Sequence, residues 1–218
     1  MELKGKKIAF LGDSITEGCG TSGIDKVYWH LIGQRTGAQV YGYGIGGTKI
    51  AKPRVMGLDA VSDQYFGSRV DSMIPDADIV VVFGGTNDFG WGDAPLGTME
   101  DRREDTFYGA YHLLLQKLID RYPDAQLVVM TPLHRGNEDD GLYNSQGVRR
   151  MGTLKCYVEA IHQVAEFYGI VVADLYATCP IQPRVESLKA RYMPDGLHPN
   201  DAGHVLIANR LLSTLNML

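Results

Sequence analysis

Five short runs, at residues 7–11, 39–43, 79–83, 127–131 and 170–174, are rich in Val and Ile and apolar almost without interruption. A strand with one wet face alternates between polar and apolar residues. Unbroken runs of this length instead fit strands covered on both faces, the condition of a parallel sheet flanked by helices. Between the runs, apolar residues recur at helical spacing. In 105–120, Tyr108, Tyr111, Leu115 and Leu118 share one stripe, and in 152–168 Leu154, Val158, Ile161 and Ala165 do the same. A last helix is expected after Pro199, with Asn200 as its N-cap and Leu206, Leu211 and Leu215 facing inward. The alternation of strand and helix predicts an α/β fold, a parallel sheet with helices on both faces. No repeat, low-complexity tract or linker breaks the pattern, so residues 1–218 are read as one domain. The polar stretches 89–104 and 134–149 follow strand ends and are read as site-forming loops.

Composition and charge then remove several classes of function. The chain of 218 residues is 44% hydrophobic and 22% charged, enough to bury a sizeable core. Its formal net charge of -5 offers no basic face, so nucleic acid is not an expected partner. The first apolar run, residues 8–11, is too short for a signal peptide core or a membrane span, and a cytoplasmic protein is expected. Cys19, Cys156 and Cys179 are odd in number and widely spaced, without a Cys-x-x-Cys pair, and are read as reduced and structural.

Ligands of such sheets bind beyond the carboxyl ends of the strands. Gly12-Asp13-Ser14 follows the first strand, Gly44-Ile45-Gly46-Gly47-Thr48 the second and Gly84-Gly85-Thr86-Asn87-Asp88 the third, while Asp195-Gly196-Leu197-His198-Pro199 precedes the last helix. A serine hydroxyl becomes an effective nucleophile when an imidazole takes its proton and a carboxylate holds that imidazole in the right tautomer. Ser14, His198 and Asp195 can fill these roles. The three-residue separation lets Asp195 reach Nδ1 while Nε2 faces the serine. Attack on an ester builds an oxyanion, for which the backbone N–H groups of Ser14 and Gly47 and the Asn87 amide are candidate donors. Asp88 is expected to be structural, accepting from backbone N–H groups.

Each motif alone has a simpler explanation. Gly-Asp-Ser after a strand is often only a turn, and glycines at a strand end could cradle phosphate, although neither Gly-x-Gly-x-x-Gly nor a Lys-Ser/Thr ending is present. The main rival is a metal site, because Asp195, His198, Asp201 and His204 recur every third residue. Pro199 separates the pairs and should send Asp201 and His204 along the new helix, Asp201 serving its first turn. No metal or cofactor is therefore expected. His30, His112 and His162 lie in helical segments and carry no assigned chemistry.

Taken together, Gly12-Asp13-Ser14, Gly47, Gly85-x-Asn87-Asp88 and Asp195-x-x-His198 resemble the four signature blocks of the SGNH hydrolases, also called GDSL esterases or lipases. The resemblance runs in the family's order over nearly the whole chain. It implies a three-layer α/β/α, flavodoxin-like fold with a central parallel sheet of about five strands. It likewise implies Ser14 as nucleophile, Asp195 and His198 as acid and base, and Gly47 and Asn87 as oxyanion donors. One departure stands out: the family's second block usually opens with an asparagine, where this chain has Gly42-Tyr43.

The substrate must be sought in the loops. Trp91, Tyr143 and Trp29 lie near predicted strand ends, and aromatic faces beside polar groups suit sugar rings. Asp93, Asn137, Glu138, Asp139, Asp140 and Asn144 make those loops polar. The expectation is a serine esterase removing short acyl groups, acetyl above all, from a carbohydrate or similar small compound, with Trp91 and Tyr143 as substrate contacts. A lysophospholipase or thioesterase of the same family, and a silent carbohydrate-binding protein, are the alternatives. Nothing in the sequence states an oligomeric state.

Overall fold

The computed structural model describes residues 2–55, 61, 63–139 and 152–218. Strands β1 (Lys7–Gly12), β2 (Gln39–Gly44), β3 (Ile79–Phe83), β4 (Gln126–Met130) and β5 (Val171–Ala173) form one sheet in the order β2-β1-β3-β4-β5. All its pairings are parallel. The helices are α1 (Ser14–Glu17), α2 (Tyr28–Thr36), α3 (Phe66–Arg69), α4 (Thr86–Trp91), α5 (Phe107–Arg121), α6 (Leu154–Phe167), α7 (Leu175–Thr178), α8 (Glu186–Tyr192) and α9 (Asp201–Leu215).

The period-two geometry of the strands divides the interior in two. Ala9 and Leu11 of β1, Val80 and Val82 of β3, and Leu127 and Val129 of β4 pack against α3, α5 and α6. The alternate residues Ile8, Phe10, Ile79, Val81, Phe83, Val128 and Met130 pack with Tyr28, Ile32, Ile207 and Leu211 of α2 and α9. Both faces are thereby covered, which is why these strands read as continuous apolar runs. The architecture is three-layered, α/β/α. The expectation of two buried faces fails for the two edge strands, each with one sheet neighbour: the residues of β2 are half-buried or exposed, and Val171 and Val172 of β5 are half-buried.

The predicted stripes of α5 and α6 are buried throughout. Asn200 caps α9 as expected, its side-chain oxygen accepting from Gly203 N–H at 3.1 Å. Leu206, expected inside, is only half-buried. The inward face of α9 runs through His204, Ile207, Ala208, Leu211 and Leu215, and Leu206 falls on its flank.

Buried His204 ties α9 to α2: its Nδ1 accepts from the Tyr28 N–H at 3.1 Å and its ring stacks on the Tyr28 ring. Burial, opposed by the Asp201 carboxylate, lowers its pKa from 6.5 to about 4. The unfolded chain therefore takes up a proton at this imidazole below pH 6.5 that the folded protein refuses until about pH 4. The stability due to neutral His204 is complete above pH 6.5 and is lost as pH falls towards 4. Asp13 and Asp88, pushed up to about 6 by burial, give an opposite slope in the same range, so a difference between two proteins is the clean readout. His204→Asn supplies an oxygen for the Tyr28 N–H but no titrating ring. Urea unfolding should show the wild-type stability advantage shrinking between pH 7 and 4, by up to about 3 kcal/mol. A constant difference across that range contradicts the assignment.

Candidate active site

Where β1 ends, Asp13 caps α1 by accepting from Ile15 N–H at 3.0 Å, and the backbone turns directly into helix at Ser14. Ser14 is thereby placed at the strand tip, its Oγ 3.1 Å from Nε2 of His198. Nδ1 of the same ring lies 2.7 Å from Oδ2 of Asp195. The other carboxylate oxygen of Asp195 accepts from the N–H groups of Leu197 and His198, at 2.8 and 2.7 Å. Gly196, at φ 79, permits the tight turn that folds this loop around the carboxylate. Burial alone would raise the Asp195 pKa, but the two backbone N–H groups and the His198 ring outweigh it and hold it below the usual value. An ionised Asp195 only accepts, so the ring proton belongs on Nδ1 and Nε2 is left to accept from the Ser14 hydroxyl.

A second group of residues gathers beside Ser14. Asn87 is buried on α4 and donates one amide N–H to the Thr48 carbonyl at 3.0 Å; a primary amide carries a second N–H. Asp88 is buried too, its two oxygens accepting from the N–H groups of Ile50 and Ala51 at 3.0 and 2.9 Å, the structural role expected of it. One helical turn on, Trp91 lies against Gly47, where a Cβ would come within 2.8 Å of the indole. The Lys49 ammonium sits 4.7 Å from the Trp91 ring centroid. Three residues of α4 thus grip the loop after β2.

Near the departure at Gly42-Tyr43 lies Arg69, whose guanidinium donates to the carbonyls of Tyr43 and Gly12 at 2.8 and 2.9 Å and to Thr48 Oγ1 at 3.0 Å. An arginine on α3 braces the strand ends. Burial, countered by the Asp13 carboxylate, lowers its pKa to about 10, still far above neutrality. Gly42 itself makes room for Trp29, whose indole lies on it while Nε1 donates to the Thr16 carbonyl at 2.8 Å. Trp29 is committed to the edge of the sheet and does not line the cleft.

Ser14, Gly47, Asn87 and His198 line one open cleft of about 420 Å³, with Trp91 and Arg135 also on its walls. Tyr143, the other expected aromatic contact, lies outside the described residues, as do Asp140 and Asn144. The loop polarity expected to face substrate is partly turned inward. Asp93 accepts from Val55 N–H, Asn137 from Arg135 and Glu138 bonds His134, while Asp139 pairs with Arg184. Cys19, read as structural, is exposed on the cleft rim; all three cysteines are free thiols.

Asp201 and His204 point elsewhere, as Pro199 suggested. Asp201 accepts from the Ser22 N–H and hydroxyl at 2.8 and 2.6 Å, and His204 is buried against Tyr28. Among the described residues no three His, Cys, Asp or Glu side chains gather as a metal site would need. His112 bonds the Tyr168 hydroxyl and the Met99 carbonyl, and His162 bonds Asp174. Arg69 and Arg135 are the residues that sequence reasoning overlooked. Arg135 carried one signal: it lies in the stretch after β4, residues 134–149, that reads as a site-forming loop.

Comparison with known proteins adds an independent line. Residues 10–206 match the GDSL-like Lipase/Acylhydrolase family. The chain is 25% identical to a GDSL lipase of Mycobacterium tuberculosis, over 96% of this chain and 81% of that one. A solved protein from Lactobacillus plantarum shares 32% identity with a TM-score of 0.82, covering 98% of both chains. The crystal structure of an acetyl xylan esterase shares 26% identity with a TM-score of 0.62, covering 95% of this chain and 98% of that one. Matched along nearly its whole length, with serine, histidine and aspartate joined at the tip of its sheet, the chain belongs to the GDSL-like Lipase/Acylhydrolase family and is an ester-bond hydrolase.

Proposed function

We propose that the protein is a serine esterase that removes short acyl groups, acetyl above all, from a carbohydrate or similarly polar alcohol. The carrying observation is the hydrogen-bonded chain from Ser14 through His198 to Asp195, at 3.1 and 2.7 Å, opening on the cleft that Gly47 and Asn87 also line. Ser14 Oγ attacks the ester carbonyl while His198 Nε2 takes its proton, and Asp195 stabilises the imidazolium. The carbonyl oxygen becomes an oxyanion that accepts from the backbone N–H groups of Ser14 and Gly47 and from the second amide N–H of Asn87. Collapse breaks the bond to the alcohol oxygen, which leaves with the proton from His198. Water then attacks the acyl-serine, giving its proton to His198, and the free acid departs as that proton returns to Ser14 Oγ.

The modest cleft and the indole of Trp91 on its wall support a short acyl group on a ring-shaped alcohol. Likeness to an acetyl xylan esterase supports the same choice. Three unpaired thiols support a reducing, cytoplasmic setting. No helix among the described residues is long and apolar enough to cross a membrane.

The direct test is a series of nitrophenyl esters of rising chain length beside acetylated xylan fragments. Acetate and the acetylated sugar should give the highest kcat/KM, and Ser14→Ala should lower it by at least about 10⁴-fold with an unchanged melting temperature. Preference for long acyl chains would favour a lysophospholipase or thioesterase, and unchanged turnover without Ser14 would remove the mechanism.

Asn87→Ala should reduce kcat by about 10²- to 10³-fold and leave KM nearly constant, because the donor acts on charge that exists only in the transition state. A rise in KM alone would make Asn87 a substrate-binding residue instead.

The serine and metal mechanisms part on chelation. Activity should survive exhaustive EDTA treatment, and Asp201→Asn, whose hydrogen bonds go to Ser22 and not to Ser14, His198 or Asp195, should keep kcat/KM within about twofold. Activity lost with chelator and regained with Zn²⁺ or Mn²⁺ would overturn the role of Ser14.

A further inference from the structure

Between Pro132 and Glu138 the chain leaving β4 passes over both halves of the site. Arg135, only 9% exposed, stretches its guanidinium across α4: Nη1 donates to the carbonyl of Thr86 at 2.8 Å and to the Thr86 hydroxyl at 3.1 Å. Nε donates to Asn137 Oδ1 at 2.8 Å, and the cation lies 5.5 Å from the Phe89 ring centroid. The adjoining residue, Gly136, donates its N–H to the carbonyl of Gly196 at 2.8 Å. Gly196 stands between Asp195 and His198 in the chain, and Thr86 immediately precedes Asn87.

Two adjacent residues therefore contact the loop of the general base and the helix of the oxyanion donor. We infer that Arg135 is a positioning residue of the ester chemistry, fixing the peptide plane that carries Asn87 while the neighbouring Gly136 amide holds the loop of Asp195 and His198 in register. The inference rests on the oxyanion role proposed for Asn87. Desolvating a guanidinium is costly, and this one is placed where its planar fork spans partners on two elements, Thr86 on α4 and Asn137 on its own loop. Lysine, a single compact charge, cannot serve both edges. Gly90 completes the fit, since a Cβ there would come within 2.7 Å of Nη1. The side chain crosses α4 at the one position that carries no side chain of its own.

Positioning matters because an oxyanion donor displaced by about 1 Å can cost about 10²-fold in rate while substrate binding hardly changes. Arg135→Lys, made in the wild-type and in the Asn87→Ala background, tests this with nitrophenyl acetate and with a small alkylboronic acid that forms a tetrahedral adduct on serine. In the wild-type background kcat should fall about 10- to 10²-fold with KM within about twofold, and boronate affinity should fall by a similar factor. In the Asn87→Ala background the same substitution should cost less than about threefold, since the donor it places is already gone. Equal losses in the two backgrounds would overturn the coupling to Asn87. A rise in KM with constant kcat would make Arg135 a substrate contact, and an unchanged kcat would give it no role. If Asn87→Ala itself leaves kcat intact, the oxyanion reading fails; if it lowers kcat and Arg135→Lys does not, this inference alone fails. Should Arg135→Lys fold poorly, Asn137→Ala removes the Nε anchor and leaves Thr86 untouched. A weaker loss of kcat at constant KM is expected there, and none at all would count against the inference.

Discussion

Everything at the site depends on β1 pairing in parallel with β2 on one side and β3 on the other. The chain crosses from β1 outward to β2 and then returns past β1 to begin β3, so the connections leave the sheet in opposite directions and a crevice opens between them. Gly12 is in register with both Gly44 and Phe83, which sets the three strand tips level. The nucleophile candidate at position 14, the glycine at 47 and the amide at 87 come from segments far apart in sequence. Parallel pairing at about 4.8 Å between strands brings them to the wall of one cleft.

Charges buried around the crevice serve geometry more than stability. Asp88 and Arg69 both lose hydration, seen in a carboxyl raised to about 6 and a guanidinium lowered to about 10. Each offsets that loss by bonding backbone groups in the loops that bear the site: Asp88 takes the N–H groups of Ile50 and Ala51, and Arg69 the carbonyls of Tyr43 and Gly12. A loop rich in glycine has few side chains with which to hold itself. Polar groups reaching in from α3 and α4 supply the missing constraint, and they leave the Gly47 backbone uncovered on the side of the cleft. Asp195 on the opposite rim keeps contact with water, yet three hydrogen bonds hold this carboxylate and its imidazole in a single orientation.

Much of this was legible in the chain itself. Continuous apolar runs located each end of the five strands to within one residue, because a strand covered on both faces leaves no polar position to blur the pattern. The edge strand β2 was still found, though its half-exposure was not, since pairing decides which strand lies outside. Gly-Asp-Ser, Gly-x-Asn-Asp and Asp-x-x-His marked the residues that the structure gathers at the candidate site, because each joins a chemical type to a strand end or helix start, and those are local properties. Asn200 as a cap and Asp88 as a loop anchor were readable for the same reason.

What the sequence could not determine are the partners that act across the fold. Arg69 and Arg135 look in sequence like ordinary arginines in polar stretches, yet both are buried and bond carbonyls dozens of residues away. Asp93, Asn137, Glu138 and Asp139 looked like a polar surface for substrate and instead bond within the protein. The physical reason is the reach of the interactions. Periodicity, capping and turn chemistry operate over a few neighbouring residues, so the sequence by itself determined the elements and the chemical groups at their ends. A long polar side chain finds its partner only after the sheet has assembled and water has been expelled, so only the tertiary structure decided which polar residues brace the site and which face the cleft.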